Sequence, residues 1–237
     1  MANSYFQFKQ FMIHQENCGM KVSTDAVVLG ALSSHDKMDR ILDVGTGTGV
    51  VALMLAQRFP SSEVHAVEID GAAFEQASAN VASGPWNHRI FLYHLSFQDF
   101  ANQPGEHFDL IVSNPPYFPA HHKSRDQQRN LALHNDALSF DDLIKGVVRL
   151  LSPQGKFWVI LPERQMQDLE KIAGEFHLFA NESFEWRDRP QACVLRVVVA
   201  FSFHASTSKK KTLFIRDNDL NYSADYKKLL ADFLLAF

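Results

Sequence analysis

Apolar positions along the chain fall into short unbroken runs, separated by longer stretches where they recur every three or four residues. The runs "RILDV" (40–44), "EVHAVEI" (63–69), "RIFLYHL" (89–95), "FDLIVS" (108–113) and "GKFWVILP" (155–162) each predict a strand buried on both faces. Between them, "VVALMLAQRF" (50–59), "GAAFEQASANVAS" (71–83) and "SFDDLIKGVVRLLS" (139–152) carry helical spacing, the last with Ser139 as N-cap. Another helical stretch, "ERQMQDLEKIAGE" (163–175), precedes two extended runs, "HLFANESFEW" (177–186) and "ACVLRVVVAFSF" (192–203). Strands alternating with helices predict an α/β fold: a mostly parallel, twisted sheet with helices on both faces, finished by a C-terminal antiparallel hairpin.

The flanks follow other rules. In "YFQFKQFMI" (5–13) Phe6 and Phe8 alternate with polar neighbours as in a strand, and "STDAVVLGAL" (23–32) predicts a helix capped by Ser23 or Thr24. "YSADYKKLLADFLLAF" (222–237) predicts one amphipathic helix packed on the core. The expected organisation is a single domain over 1–237. Its core spans 40–204, with a strand and helix extension at 1–39 and a C-terminal strand and helix at 205–237.

Composition narrows the function classes. Of 237 residues, 46% are hydrophobic and 21% charged, as in an ordinary soluble globular chain. The absence of a long apolar run or leader-like start predicts a cytoplasmic protein with no membrane partner, and nothing suggests an obligatory protein partner. The two cysteines, Cys18 and Cys193, are expected to be reduced thiols. A net charge of −4 argues against non-specific wrapping of nucleic acid and confines any RNA contact to local basic segments. "HHKSRDQQR" (121–129), "WRDR" (186–189) and "SKKK" (208–211) are the candidates, each equally readable as a solvated loop.

Chemistry enters with "LDVGTGTGVVAL". Gly45, Thr46, Gly47 and Gly49 lie between the first core strand and its helix, where glycines let the backbone approach a ligand at a helix N-terminus. Glu68 ends the next strand, where a carboxylate accepts hydrogen bonds from the ribose hydroxyls of an adenosine cofactor. Dinucleotide-binding folds share this geometry, but Val50 stands where their fingerprint has its third glycine. Together with Asp43, the spacing resembles that of Rossmann-like S-adenosyl-L-methionine-dependent methyltransferases. That resemblance implies a role for Asp43 at the cationic methionine end.

After the fourth strand comes "NPPY": Asn114, Pro115, Pro116 and Tyr117. Two prolines cannot continue a central strand, so they make a stiff loop at its carboxyl end. If the fourth strand lies beside the first, this loop faces the glycine turn. The tetrapeptide resembles the motif of methyltransferases acting on planar amino or amide nitrogens. An adenine N6 amine is a poor nucleophile, and the Asn114 side chain and Pro115 carbonyl supply two acceptors that hold its N–H bonds and favour attack. Tyr117 supplies a ring face for a flipped base. No metal is required, and the adjacent His121 and His122 lack further ligands at metal spacing.

"FKQFMIHQENCGMKVSTDAVVLGAL" (8–32), "ILDVGTGTGVVALMLAQR", "SNPPYF" and "NYSADYKKLLADFLL" together resemble the bacterial tRNA (valine-type) adenine-N6 methyltransferase family over nearly the whole chain. The resemblance implies S-adenosyl-L-methionine as cofactor, tRNA as substrate and the adenine 3′ of the anticodon as target. It also implies that Lys21, Thr24 and Asp25 close over the cofactor. From the residues alone, Lys21 and Asp25 are equally a surface ion pair and Thr24 a helix cap. The chain departs from the family at the end of the third strand, where an acidic residue that binds adenine is expected and Ser96 stands, with Asp99 three residues on. Either Ser96 makes the contact, or Asp99 or water does. The loop at 119–138 predicts a lid or substrate contact, with Arg125 and Arg129 toward phosphate.

Competing readings stay open at this level. A release-factor-type glutamine N5 methyltransferase also uses Asn-Pro-Pro-Tyr, but carries a large N-terminal helical domain that about 39 residues cannot supply. DNA adenine methylation would need a separate recognition domain. A non-catalytic S-adenosyl-L-methionine-binding RNA chaperone would have no use for two pre-aimed acceptors. An NAD-dependent oxidoreductase is the remaining alternative.

Overall fold

The computed structural model describes residues 4–16, 18–105, 107–116 and 138–237. The five continuous apolar runs become strands β3 (Arg40–Val44), β4 (Glu63–Glu68), β5 (Ile90–His94), β6 (Phe108–Ser113) and β7 (Leu151–Leu161). The two later runs form β8 (Phe179–Arg187) and β9 (Val194–Ser202), and β10 (Lys209–Phe214) follows. Hydrogen bonding orders one eight-stranded sheet as β10-β8-β9-β7-β6-β3-β4-β5. β3, β4, β5, β6 and β7 are parallel, and β9 runs antiparallel to both β7 and β8. The hairpin thus inserts its second strand next to the core, and β10 adds in parallel outside the first. Lys209, Lys210 and Lys211 are exposed on this edge strand, where charge discourages pairing with another chain.

Because successive side chains on a strand point to opposite faces, the apolar runs feed two cores. On one face Ile41, Leu110, Val112, Trp158, Ile160 and Val198 pack with helices α1 (Thr24–Leu32) and α2 (Val50–Arg58). On the other, Leu42, Ile111, Phe157, Val159 and Val199 pack with α4 (Phe97–Asn102), α5 (Phe140–Leu150) and α6 (Glu163–Glu175). Helix α3 (Gly71–Ser83) packs beside β5 and β4 and contributes Val81 to the first core.

Several expectations are corrected. The N-terminal strand is a hairpin, β1 (Tyr5–Gln7) with antiparallel β2 (Met12–His14), and Phe8 is buried at its turn. Of the two caps expected for α1, Ser23 holds the position, its side chain accepting from the Ala26 amide, as expected. The helix expected through Ser152 ends at Leu150, because a residue before Pro153 disfavours helical backbone and Leu151 already belongs to β7. The last helix, α7, covers only Ala224–Leu230. Beyond it the chain is held by the N-terminal hairpin: the Lys9 amide donates to Phe233 O, and the Lys9 ammonium donates to Ala231 O and Phe237 O. The turn that follows is irregular, with Phe233 and Leu234 both donating to Leu230 O, and Lys9 takes up carbonyls it leaves open.

Candidate active site

The turn from β3 into α2 is built on three left-handed glycines, Gly45 at φ 74°, Gly47 at φ 57° and Gly49 at φ 82°. Nothing lies within 4 Å of a Cβ placed on Gly45 or Gly47, so backbone conformation and open space, not crowding, make these positions glycine. Backbone N–H groups of Gly45 and Thr46 both donate to Val67 O, which pins the turn to the end of β4. One residue later, Glu68 accepts from the Gly47 amide at 2.8 Å and from the Asp70 amide at 2.9 Å. Its two oxygens thereby orient on the rim of the turn with lone pairs remaining for a ligand.

Asp43 lies beneath the turn, 2% exposed, and accepts from the Thr46 hydroxyl at 2.6 Å. Burial, with Glu68 adding to it, pushes its carboxyl up to about 7, against the opposing hydrogen bond from Thr46. Opposite stands the end of β6. It pairs in register with β3, Val44 against Ser113, and the Ser113 hydroxyl donates to Val44 O at 3.0 Å. Asn114 therefore leaves the sheet directly beside the glycine turn, followed by buried Pro115 and exposed Pro116.

These walls enclose a cavity of about 630 Å³. Gly45, Gly47, Glu68 and Asp70 line one side and Ser113 through Pro116 another, with Ile69, Leu95, Phe97 and Leu138 supplying apolar surface. Cys18, Gly19 and Met20 complete the lining from the segment between β2 and α1. A planar, largely apolar ring system suits such a wall, and the Glu68 carboxylate suits a polar sugar.

The expected residues divide. Asn114, Pro115, Pro116, Gly45, Gly47 and Glu68 meet on this cavity, while Gly49 caps α2 behind it against Ala77. Thr46 turns its hydroxyl down to Asp43, so both act under the turn rather than on the cavity wall. Ser96 caps α4, accepting from the Asp99 amide and donating to the Asp99 carboxylate, so its flanking residues Leu95 and Phe97 line the cavity instead. Asp25 pairs with Arg196 at 2.7 Å rather than with Lys21, and exposed Lys21 and Thr24 are not part of the lining. Tyr117, His121, His122, Arg125 and Arg129 lie outside the described residues. Among the described residues no group of three or more His, Cys, Asp or Glu could hold a metal ion, and no helix is long and apolar enough to cross a membrane.

Sequence reasoning did not single out Cys18, Met20, Ile69, Asp70, Leu95, Phe97 and Leu138. Ile69 and Asp70 were reachable, since residues just past a strand that ends in a ribose-type carboxylate must border the same ligand. The Cys18–Met20 contribution had no local signal.

The chain matches the family described as Methyltransferase small domain over residues 23–183. A protein of Bacteroides thetaiotaomicron named tRNA1(Val) (adenine(37)-N6)-methyltransferase is 42% identical over 236 residues, 99% of each chain. A Pseudoalteromonas translucida protein of the same name is 39% identical over 233 residues, covering 98% of this chain and 99% of its own. Among solved structures, a predicted O-methyltransferase from Agrobacterium tumefaciens superposes with a TM-score of 0.70 at 20% identity, covering 88% of this chain and 96% of that one. P. horikoshii TYW2, solved in complex with MeSAdo, superposes with a TM-score of 0.57 at 15% identity, covering 83% and 69%. At those identities the solved structures speak for the fold alone.

Proposed function

Because the chain belongs to the tRNA1(Val) (adenine(37)-N6)-methyltransferase family, we propose that it methylates the N6 amine of adenine 37 in a valine tRNA, with S-adenosyl-L-methionine as donor. The observation that carries this reading is the pairing of β3 with β4 on one side and β6 on the other. It sets the glycine turn, Glu68 and Asn114 on one cavity.

The residues present fit the donor. Glu68 offers oxygens to the ribose hydroxyls, Ile69, Leu95 and Phe97 offer apolar surface to the base, and the backbone of the glycine turn borders the remainder. Asp43 and Thr46 hold that turn from below. S-adenosyl-L-methionine, when bound, supplies a methyl group already activated on a sulfonium. What remains for the chain is to orient a weak nucleophile. The Asn114 side-chain oxygen and the Pro115 carbonyl accept the two N–H bonds of the amine, so its lone pair is directed away from the ring plane. The stiffness of Pro115 and Pro116 sets those acceptors before substrate arrives. Tyr117 stacks the flipped base, a contribution of ~1–3 kcal/mol. Lys21, Thr24 and Asp25 follow the lining segment Cys18–Met20 in the chain, and we take them to act on the donor from beside the cavity rather than on its wall.

We take residues 1–39 and 205–237 as extensions of the 40–204 core within one functional domain. Phe8, Ile13, Tyr226, Leu230 and Phe233 share a hydrophobic cluster with the core strands, which favours that view. The protein is expected to work in the cytoplasm, without membrane or protein partner, and to hold tRNA through a restricted basic surface with modest salt dependence.

The test is methyl transfer from labelled S-adenosyl-L-methionine to unmodified tRNA, with release factor and duplex DNA as comparison substrates. The expected product is N6-methyladenosine in tRNA. Asn114→Ala is expected to lower kcat by about a hundredfold or more, the scale for losing an aimed polar group in a transition state, while donor affinity is retained. Methylglutamine in release factor would move the reaction to the protein-modifying branch.

A further inference from the structure

Asn80 lies inside α3, 1% exposed, and uses its whole side-chain amide. Its oxygen accepts from the His14 amide at 2.9 Å, and its nitrogen donates to His14 O at 2.8 Å and to Thr48 O at 2.9 Å. The first two bonds engage both backbone groups of His14, as a neighbouring strand would. The third reaches into the glycine turn. One buried amide thus ties the end of β2 to the turn that borders the donor.

Beyond His14 the chain crosses to α1. Its base is closed by Gln15, 6% exposed, whose side-chain oxygen accepts from the Val22 amide at 2.8 Å. Between these anchors Cys18, Gly19 and Met20 line the cavity facing Gly45, Gly47 and Glu68. Cys18 lines the same cavity as Glu68 and Asp70; burial foremost pushes its thiol up, the two carboxylates adding to this against a hydrogen bond from the Met20 backbone.

We propose that Asn80 is a positioning residue for the methyl donor, holding the Cys18–Met20 strap in register with the glycine turn so that the donor lies between them. The inference rests on the reading given under Proposed function. A buried amide serving only the fold would stabilise the chain equally whether or not the cavity held a ligand. A positioning amide matters to donor binding and to what the bound donor covers.

The test uses the full chain with Cys193→Ala, leaving Cys18 as the single thiol. Binding of S-adenosylhomocysteine is measured by calorimetry, and alkylation of Cys18 by iodoacetamide is timed with and without it. In the Asn80-intact protein, saturating S-adenosylhomocysteine is expected to slow alkylation about tenfold or more. Asn80→Asp keeps the acceptor for His14 but turns a carboxylate toward two carbonyl oxygens. It is expected to weaken S-adenosylhomocysteine binding and raise the donor KM about tenfold or more, since two donor hydrogen bonds are lost and one alone is of that order, and to abolish the protection. Its kcat at saturating donor and its KM for tRNA are expected to stay within about threefold, the pattern of lost binding rather than lost chemistry. Unchanged donor affinity and Cys18 protection in Asn80→Asp would overturn the proposal. So would binding without protection in the Asn80-intact protein, a measurement that stands even if the variant does not fold. If S-adenosylhomocysteine does not bind at all, the functional reading above fails, and this inference with it.

Discussion

Asp43 is a carboxyl group kept where water cannot reach it, under a turn whose amides point elsewhere. With its carboxyl raised from 3.8 to about 7, the folded protein holds a proton that the unfolded chain releases. Between those two values the native state binds more protons, so stability falls as pH rises through the window and is level above it. This contribution is therefore fully present below about pH 4 and gone above about pH 7. Asp43→Asn keeps an acceptor for the Thr46 hydroxyl and removes the titration. The difference in thermal stability between variant and wild type is expected to grow in the variant's favour from pH 4 to pH 8. It should reach the order of a few kcal/mol, while donor affinity declines. A pH-independent difference would locate the cost elsewhere. Here stability is given up at a residue that the ligand turn needs.

Among the elements, α4 and α5 set the shape of the apolar end of the cavity. Phe97 begins α4, is 4% exposed and lines the cavity, and behind it Gly146 of α5 leaves space for its ring. A Cβ on Gly146 would meet the ring at Cε1, and at Cζ within 2.7 Å. Alanine at 146 would add about 1 kcal/mol of helix propensity but overpack by about 1–3 kcal/mol. The ring's escape is toward the cavity. Gly146→Ala is expected to lower the melting temperature slightly and to weaken S-adenosylhomocysteine binding about tenfold, the equivalent of 1.4 kcal/mol. Adding Phe97→Leu should restore the binding. If the single variant binds normally, Phe97 does not bear on the donor. This constraint explains a glycine mid-helix that helical periodicity alone leaves unaccounted for.

Across the whole molecule, the two ends of the chain close on each other over the first core. Lys9 donates to Ala231 O at 2.5 Å and to Phe237 O at 2.6 Å, and Phe8 bridges to Leu234. The same hairpin leads into the Cys18–Met20 strap, but Asn80 anchors it independently of the C-terminal segment. Lys9→Met is therefore expected to lower the melting temperature by a few degrees, given ~2–4 °C per kcal/mol for a chain of this size. S-adenosylhomocysteine affinity should remain within about twofold, well under the tenfold that 1.4 kcal/mol represents. Calorimetric scanning and titration of the one variant check both. A large loss of affinity would mean that the terminal contacts, and not Asn80, hold the strap.

The features legible from the chain alone are those whose cause is local. Doubly buried strands read as unbroken apolar runs, positive φ asks for Gly45, Gly47 and Gly49, and Pro115-Pro116 must end β6. Those signals carried the α/β architecture, the placing of β6 beside β3 and the meeting of Asn114, Glu68 and the glycine turn. Tertiary structure decided what depends on partners distant in sequence. Asp25 finds Arg196 across 171 positions, and Asn80 finds His14 across 66. The tail past Leu230 packs its carbonyls against Lys9, and Ser96 is engaged by α4 rather than aimed at a ligand. Each outcome turns on which of several polar groups meet once the two cores have packed, and no residue's own preference specifies that.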